Sequence, residues 1–179
     1  IFSKWAPRKI LEIGSYEGRS ACFMIEALKD EPNVEIHCVD TWQGGEEHAE
    51  INMNMVWDRF NSNIAHAKSL SNSSANVVVH KGYSFDVMVS LCAKGYVGAF
   101  DMIYVDGSHQ APDVLEDLIL AYRLVKVGGV VICDDYVWRL GNVLHEPKIA
   151  IDSFVNINRE RVAPIVDAPL RQFYFIKTS

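Results

Sequence analysis

Residues 131–136, VICDDY, run two apolar side chains and a cysteine straight into two adjacent carboxylates, Asp134 and Asp135. Burying one uncompensated carboxylate is costly, and a second beside it adds repulsion. A similar run, FDMIYVD, ends in Asp106 and continues through GSH to His109. As neighbouring strands, the two runs would bring three carboxylates to one edge. All-oxygen donors without a Cys or His cluster suit a hard cation, Mg²⁺ first and Mn²⁺ or Ca²⁺ next. The plainer alternative stays open, in which Asp134 and Asp135 cap the next segment and Asp106 begins an Asx-type turn.

A second group of residues reads as a binding site. In LEIGSYEGRS, Gly14 and Gly18 permit a tight turn and close approach of backbone to a ligand, and the helix that follows offers free N–H groups. The dinucleotide pattern G-x-G-x-x-G fails, because Tyr16 and Arg19 occupy its second and third positions. Glu12 puts negative charge where a pyrophosphate would sit, which favours a ligand with a cationic group. The apolar run VEIHCVD ends in Asp40, where a carboxylate can accept both hydroxyls of a ribose. Together Gly14, Gly18 and Asp40 describe a nucleoside site. Trp42 is placed to cover an adenine face or to join the core.

These residues sit at the carboxyl ends of strands in an alternating pattern. KILEIG (9–14), VEIHCVD (34–40), ANVVVHKG (75–82), FDMIYVD (100–106) and VGGVVICDD (127–135) read as strands, the last entered through a turn at Gly128–Gly129. Helices are expected over 18–30, with Phe23/Ala27 and Met24/Leu28 spaced four apart, and over 46–70 with a break near Asn61–Asn63. Three more are expected over 84–93, 112–125 and 147–158. Such alternation makes a parallel sheet covered on both faces, with ligands bound beyond the carboxyl ends of the strands. RVAPIVD and RQFYFIKT flank the short turn Ala168-Pro169-Leu170, so they form an antiparallel hairpin.

The totals bound the answer. A chain of 179 residues is about one domain, read here as spanning 1–179. The net charge of −6 opposes a nucleic-acid or anionic-membrane partner, and no apolar run approaches the ~18 residues that span a bilayer. Cys22, Cys38, Cys92 and Cys133 match no zinc spacing and read as reduced residues of a cytoplasmic protein. The first residue is Ile1, which leaves room for a preceding start, signal or extension. A homo-oligomer stays open.

Taken together, ILEIGSYEGRSA, VDTWQGG, DMIYVDGSH, LVKVGGVVICDDY and PKIAIDSFVN resemble successive motifs of the class I S-adenosylmethionine (SAM) dependent methyltransferases. The likeness is nearest to the Mg²⁺-dependent macrocin and sugar O-methyltransferases, with catechol O-methyltransferase more distant. The resemblance implies an α/β, Rossmann-like doubly wound seven-stranded sheet, order 3-2-1-4-5-7-6 with strand 7 antiparallel. It implies a SAM site in which Glu12, Gly14, Ser15, Gly18 and Ser20 meet the methionine end. Asp40, with Thr41 and Trp42 beside it, would serve the ribose side, Ser84 the adenine, and Asp106 both cofactor and metal. Asp106, Asp134 and Asp135 match the family's Mg²⁺ ligands, with aspartate at Asp135 where catechol-type enzymes have asparagine. His109 falls where those enzymes place a lysine base. The implied activity is methylation of a hydroxyl on a small sugar, glycoside or catechol-like acceptor. A non-catalytic SAM- or metal-binding module is the alternative.

Overall fold

The computed structural model describes residues 2–45, 50–139, 141–166, 169 and 171–179. His48, in the stretch expected to be helical over 46–70, lies outside them, as do Ala168 and Leu170 of the expected turn. The elements are α1 (Phe2–Trp5), β1 (Lys9–Ile13), α2 (Arg19–Ala27), β2 (Glu35–Asp40), α3 (Met53–Ser71), β3 (Asn76–Lys81) and α4 (Ser84–Ala93). They continue as β4 (Phe100–Val105), α5 (Ala111–Leu124), β5 (Val125–Cys133), a 3₁₀ turn (Val143–His145), α6 (Pro147–Ile157), β6 (Val162–Ile165) and β7 (Phe173–Lys177). The sequence did not announce α1 or the 3₁₀ turn.

The strands form one sheet in the expected order, β3-β2-β1-β4-β5-β7-β6. β3, β2, β1, β4 and β5 run parallel, and β7 pairs antiparallel with both β5 and β6. Alternation along β1 divides the core. Leu11 and Ile13 pack with Leu91 of α4, Leu118 of α5 and Phe154 of α6, whereas Ile10 packs with Met24 of α2 and Phe60 of α3. Glu12 shares the parity of Ile10 and is buried with it.

Three expectations need correction. Helix α3 is unbroken through Asn61 and Asn63: the Asn61 amide donates to the Trp57 carbonyl, and the Asn63 amide donates to the Glu17 carbonyl at 2.9 Å. Asn61 bonds back to a carbonyl of its own helix and Asn63 reaches out to the β1–α2 loop, while Phe60 and Ile64 anchor the buried face. The Gly128–Gly129 turn lies inside β5 as an irregularity. The partners of β5 jump from Phe100↔Val125 to Met102↔Val130, and Gly128 takes φ +80°. Phe23 is 60% exposed and meets Phe2 edge-on, so α2 buries Met24 and Leu28 but not Phe23.

Candidate functional site

Backbone hydrogen bonds hold the carboxyl ends of the central strands level. Gly14 N–H donates to the Val39 carbonyl, Asp106 N–H to Ile13 and Asp134 N–H to Val105, at 2.8–2.9 Å. The four loops that leave β1, β2, β4 and β5 therefore start side by side.

The loop after β1 is built on Glu12. Its carboxylate is fully buried and accepts the Ser15 hydroxyl at 2.5 Å and the Ser20 hydroxyl as well. Burial raises its pKa, and the two serines offset part of the rise. Glu12, Ser15 and Ser20 thus brace one another beneath the loop. Gly14 (φ +84°) has no room for a side chain: a Cβ would lie 1.9 Å from the carbonyl oxygen of Asp106. Gly18 (φ +82°) sits against Phe60, which would be 3.0 Å from its Cβ. Helix α3 holds the same loop through Arg59–Glu17 at 2.6 Å and the Asn63 contact.

Asp40 at the end of β2 accepts Tyr16 N–H at 2.8 Å on one carboxylate oxygen and Trp42 N–H at 2.7 Å on the other. It ties the β1 and β2 loops together. Each carboxylate oxygen keeps acceptor capacity beyond these bonds. The Thr41 hydroxyl accepts Gln43 N–H and shapes the turn. Of its two readings Trp42 takes the core one: it is 4% exposed, packed against Trp57 and Phe60, with its ring N–H donated to the Tyr16 carbonyl. Ser84 opens α4, and burial pushes the carboxyl of Asp117, 2% exposed on α5, up to about 7.

At the other edge, Asp106, Asp134 and Asp135 are near one another. Asp106 is pushed up to about 8, first by burial and then by the charges of Asp134 and Asp135. Yet the oxygens of Asp134 and Asp135 are turned to separate partners. Asp134 accepts the Tyr104 hydroxyl and, at 3.1 Å, the Gln172 amide on one oxygen; its other oxygen accepts Asp135 N–H at 2.8 Å. Tyr174 donates to Gln172 at 2.5 Å and extends this network along β7. Asp135, at φ +52°, pairs with His109 Nε2 at 2.8 Å. Among the described residues no group of three or more His, Cys, Asp or Glu side chains is arranged to hold a metal ion. As placed, Asp106, Asp134 and Asp135 do not fit Mg²⁺, Mn²⁺ or Ca²⁺ as a shared ligand set. Hydrogen bonds from Tyr104 and Gln172 answer the charge of Asp134 and one from His109 that of Asp135, while Asp106 is pushed toward its neutral form.

The His109 ring stacks on Trp138 at 4.7 Å and 12°, and Trp138 is 38% exposed. A cavity of about 10 Å³ lies between Asp106, His109, Asp134, Asp135 and Pro147. That is room for about one water. Tyr136 is absorbed by packing on Phe173 and by bonds to Asp152 and Lys148, so Trp138 is the aromatic wall beside the pair. Sequence reasoning missed Tyr104, Gln172 and Asp117. Tyr104 shares the strand parity of Asp106, and Asp117 falls on the buried face of α5 beside Leu118, both readable signals; Gln172 carries none.

No helix of the described residues is long and apolar enough to cross a membrane. The structure resembles the O-methyltransferase TomG of Streptomyces achromogenes, involved in tomaymycin synthesis and solved with SAM. That likeness has a TM-score of 0.71 at 21% identity, covering 99% of this chain and 76% of that one. It also resembles a Bacillus cereus O-methyltransferase solved with S-adenosylhomocysteine, with a TM-score of 0.72 at 22% identity, covering 99% and 77%. A protein of Acanthamoeba polyphaga mimivirus, named only as uncharacterized protein R132, is 27% identical over 128 residues, 70% of this chain. The chain spans about half the length of that curated relative. The methyltransferase domain family model matches residues 11–136, from inside β1 to just past the Asp134–Asp135 pair, and the chain belongs to that family.

Proposed function

We propose that this chain is a SAM-dependent methyltransferase that methylates a hydroxyl on a small sugar, glycoside or catechol-like acceptor. The observation that carries this reading is the level arrangement of the Gly14–Gly18 loop, Asp40 and the His109–Asp135 pair at adjoining strand ends. When bound, SAM supplies an electrophilic methyl on a sulfonium. Gly14 and Gly18 let backbone approach the methionine end, while Glu12 holds the loop from below. Asp40 accepts the ribose hydroxyls with the lone pairs that Tyr16 and Trp42 leave over. An imidazole oriented by a carboxylate is suited to general-base work. His109 takes the acceptor's hydroxyl proton as the new O–C bond forms and the C–S bond breaks, and the protein forms no covalent intermediate. A cytoplasmic site of action accords with four unpaired cysteines.

A divalent-cation-assisted version is the second reading, favoured by the closeness of Asp134 and Asp135 to Asp106, whose pKa their charges raise. It requires Asp134 to release Tyr104 and Gln172. The test is transfer of labelled methyl from SAM to a panel of catechols, phenols and glycosides, with and without Mg²⁺. The expected result is a methyl ether with equimolar S-adenosylhomocysteine. Cofactor binding without transfer to any acceptor would favour the non-catalytic module.

A further inference from the structure

Asp135 reaches His109 from a backbone conformation that residues with a side chain seldom adopt. Its φ is +52°, in the left-handed region, and its carboxylate meets His109 Nε2 at 2.8 Å. Such a conformation persists where the surrounding structure over-determines it. Both neighbours of Asp135 are pinned. On one side, Asp134 N–H donates to the Val105 carbonyl at 2.9 Å, and an Asp134 carboxylate oxygen accepts Asp135 N–H at 2.8 Å. On the other, Tyr136 is held by backbone, ring and hydroxyl. Its N–H donates to the Arg171 carbonyl at 2.9 Å, and its ring packs on Phe173 with centroids 5.1 Å apart. Its hydroxyl donates to Asp152 at 2.8 Å and accepts from Lys148 Nζ at 2.6 Å. Lys148 also reaches Asp152 at 2.6 Å, one turn along α6, which closes a clamp on the Tyr136 hydroxyl. Lys148 follows Pro147, which lines the small cavity beside His109, so the clamp ties the loop after β5 to a wall of the site.

We propose that Tyr136 is a positioning residue, whose hydroxyl, clamped by Lys148 and Asp152, holds the turn at Asp135 that aims its carboxylate at His109. The same turn continues to Trp138, whose N–H donates to the Asp135 carbonyl at 2.8 Å and whose ring returns onto the imidazole. A carboxylate only accepts, so the His109–Asp135 bond keeps a proton on Nε2 and fixes the orientation of the ring. With the clamp opened, Asp135 relaxes to a common backbone conformation and the pair loosens. The consequence for turnover rests on His109 acting as the base, as read above; the pairing itself does not.

The test is proton NMR of the His109 Nε2–H resonance at pH 8 in wild type, Tyr136→Phe and Lys148→Met, with the resonance assigned by its absence in His109→Gln. Phenylalanine keeps the ring on Phe173 and removes only the hydroxyl. Exchange of this proton with water should be about fivefold faster in Tyr136→Phe, the scale of one hydrogen bond, and also faster in Lys148→Met. In methyl transfer from SAM to catechol, kcat should fall by a similar factor while KM for SAM stays unchanged. A merely structural role would lower Tm and leave the exchange as in wild type. Equal exchange in all three proteins, or no protected resonance in wild type, would overturn the proposal. If Tyr136→Phe does not fold, Lys148→Met decides alone, because it leaves Tyr136 in place. Faster exchange in the variants with no transfer to any acceptor in wild type would overturn the base assignment and support the positioning role.

Discussion

Replacing Gly14 by alanine should damage the protein far more than the same change at Gly95. The two glycines have nearly the same backbone, φ +84° and φ +89°, so both variants bear the left-handed penalty of about 1–2 kcal/mol. They differ in surroundings. At Gly95 nothing lies within 4 Å of the added carbon, whereas at Gly14 it would meet the Asp106 carbonyl oxygen at 1.9 Å, the Asp106 carbonyl carbon at 2.5 Å and Gly107 Cα at 2.8 Å. All three are backbone atoms of the neighbouring strand end, so no rotamer change relieves the clash. Overpacking of that kind adds about 1–3 kcal/mol, giving roughly 2–5 kcal/mol in total for Gly14→Ala. For a chain of this size each kcal/mol moves Tm by about 2–4 °C, so thermal denaturation should show a drop of ~4–20 °C against ~2–8 °C for Gly95→Ala. The Gly14 variant should also lose S-adenosylhomocysteine affinity, because relief of the clash must move the loop or Asp106. Equal Tm shifts and unchanged affinity would refute the close approach of the β1 and β4 loops.

Other consequences are as specific. His109→Ala should slow turnover by about 10²- to 10⁴-fold and change the pH–rate profile, checked by steady-state kinetics; an identical profile would leave His109 as a stacking partner of Trp138. Chelator-treated protein should turn over at the untreated rate while Asp134 keeps Tyr104 and Gln172 as partners, and a loss reversed by Mg²⁺ would show that it gives them up. Buried His37 bonds His80 at 2.8 Å and Glu35 at 2.7 Å, and burial holds both histidines below their usual 6.5. The unfolded chain then binds more protons in that window, so stability is present at neutral pH and lost as pH falls through the lowered values. Thermal melts of His80→Phe should show a shallower acid decline than wild type; parallel declines would clear the pair.

The fold was legible because its signals are local. Short apolar runs ending in Gly14, Asp40, Asp106 and Asp134 place strands and their carboxyl ends, and a short connection between two apolar runs leaves only an antiparallel return. Which residues meet at those ends was legible for the same reason. What those residues do to one another was not. Charge and spacing suggest a cation for Asp106, Asp134 and Asp135, but orientation depends on Tyr104 from β4 and Gln172 just before β7, far apart in sequence. Trp42 had two readings that composition could not separate. The decision came from Trp57 and Phe60, supplied by a helix beginning eleven residues later. The asparagines of α3 looked like a break because propensity is weak beside buried anchors on the opposite face.

The central claim is that the β1 and β2 loops form one nucleoside site for SAM. Calorimetric titration of S-adenosylhomocysteine into wild type and Asp40→Asn tests it most directly. Saturable one-to-one binding, weakened about tenfold or more in the variant, is the predicted result. Absence of binding to wild type, or equal affinity in both proteins, would contradict it.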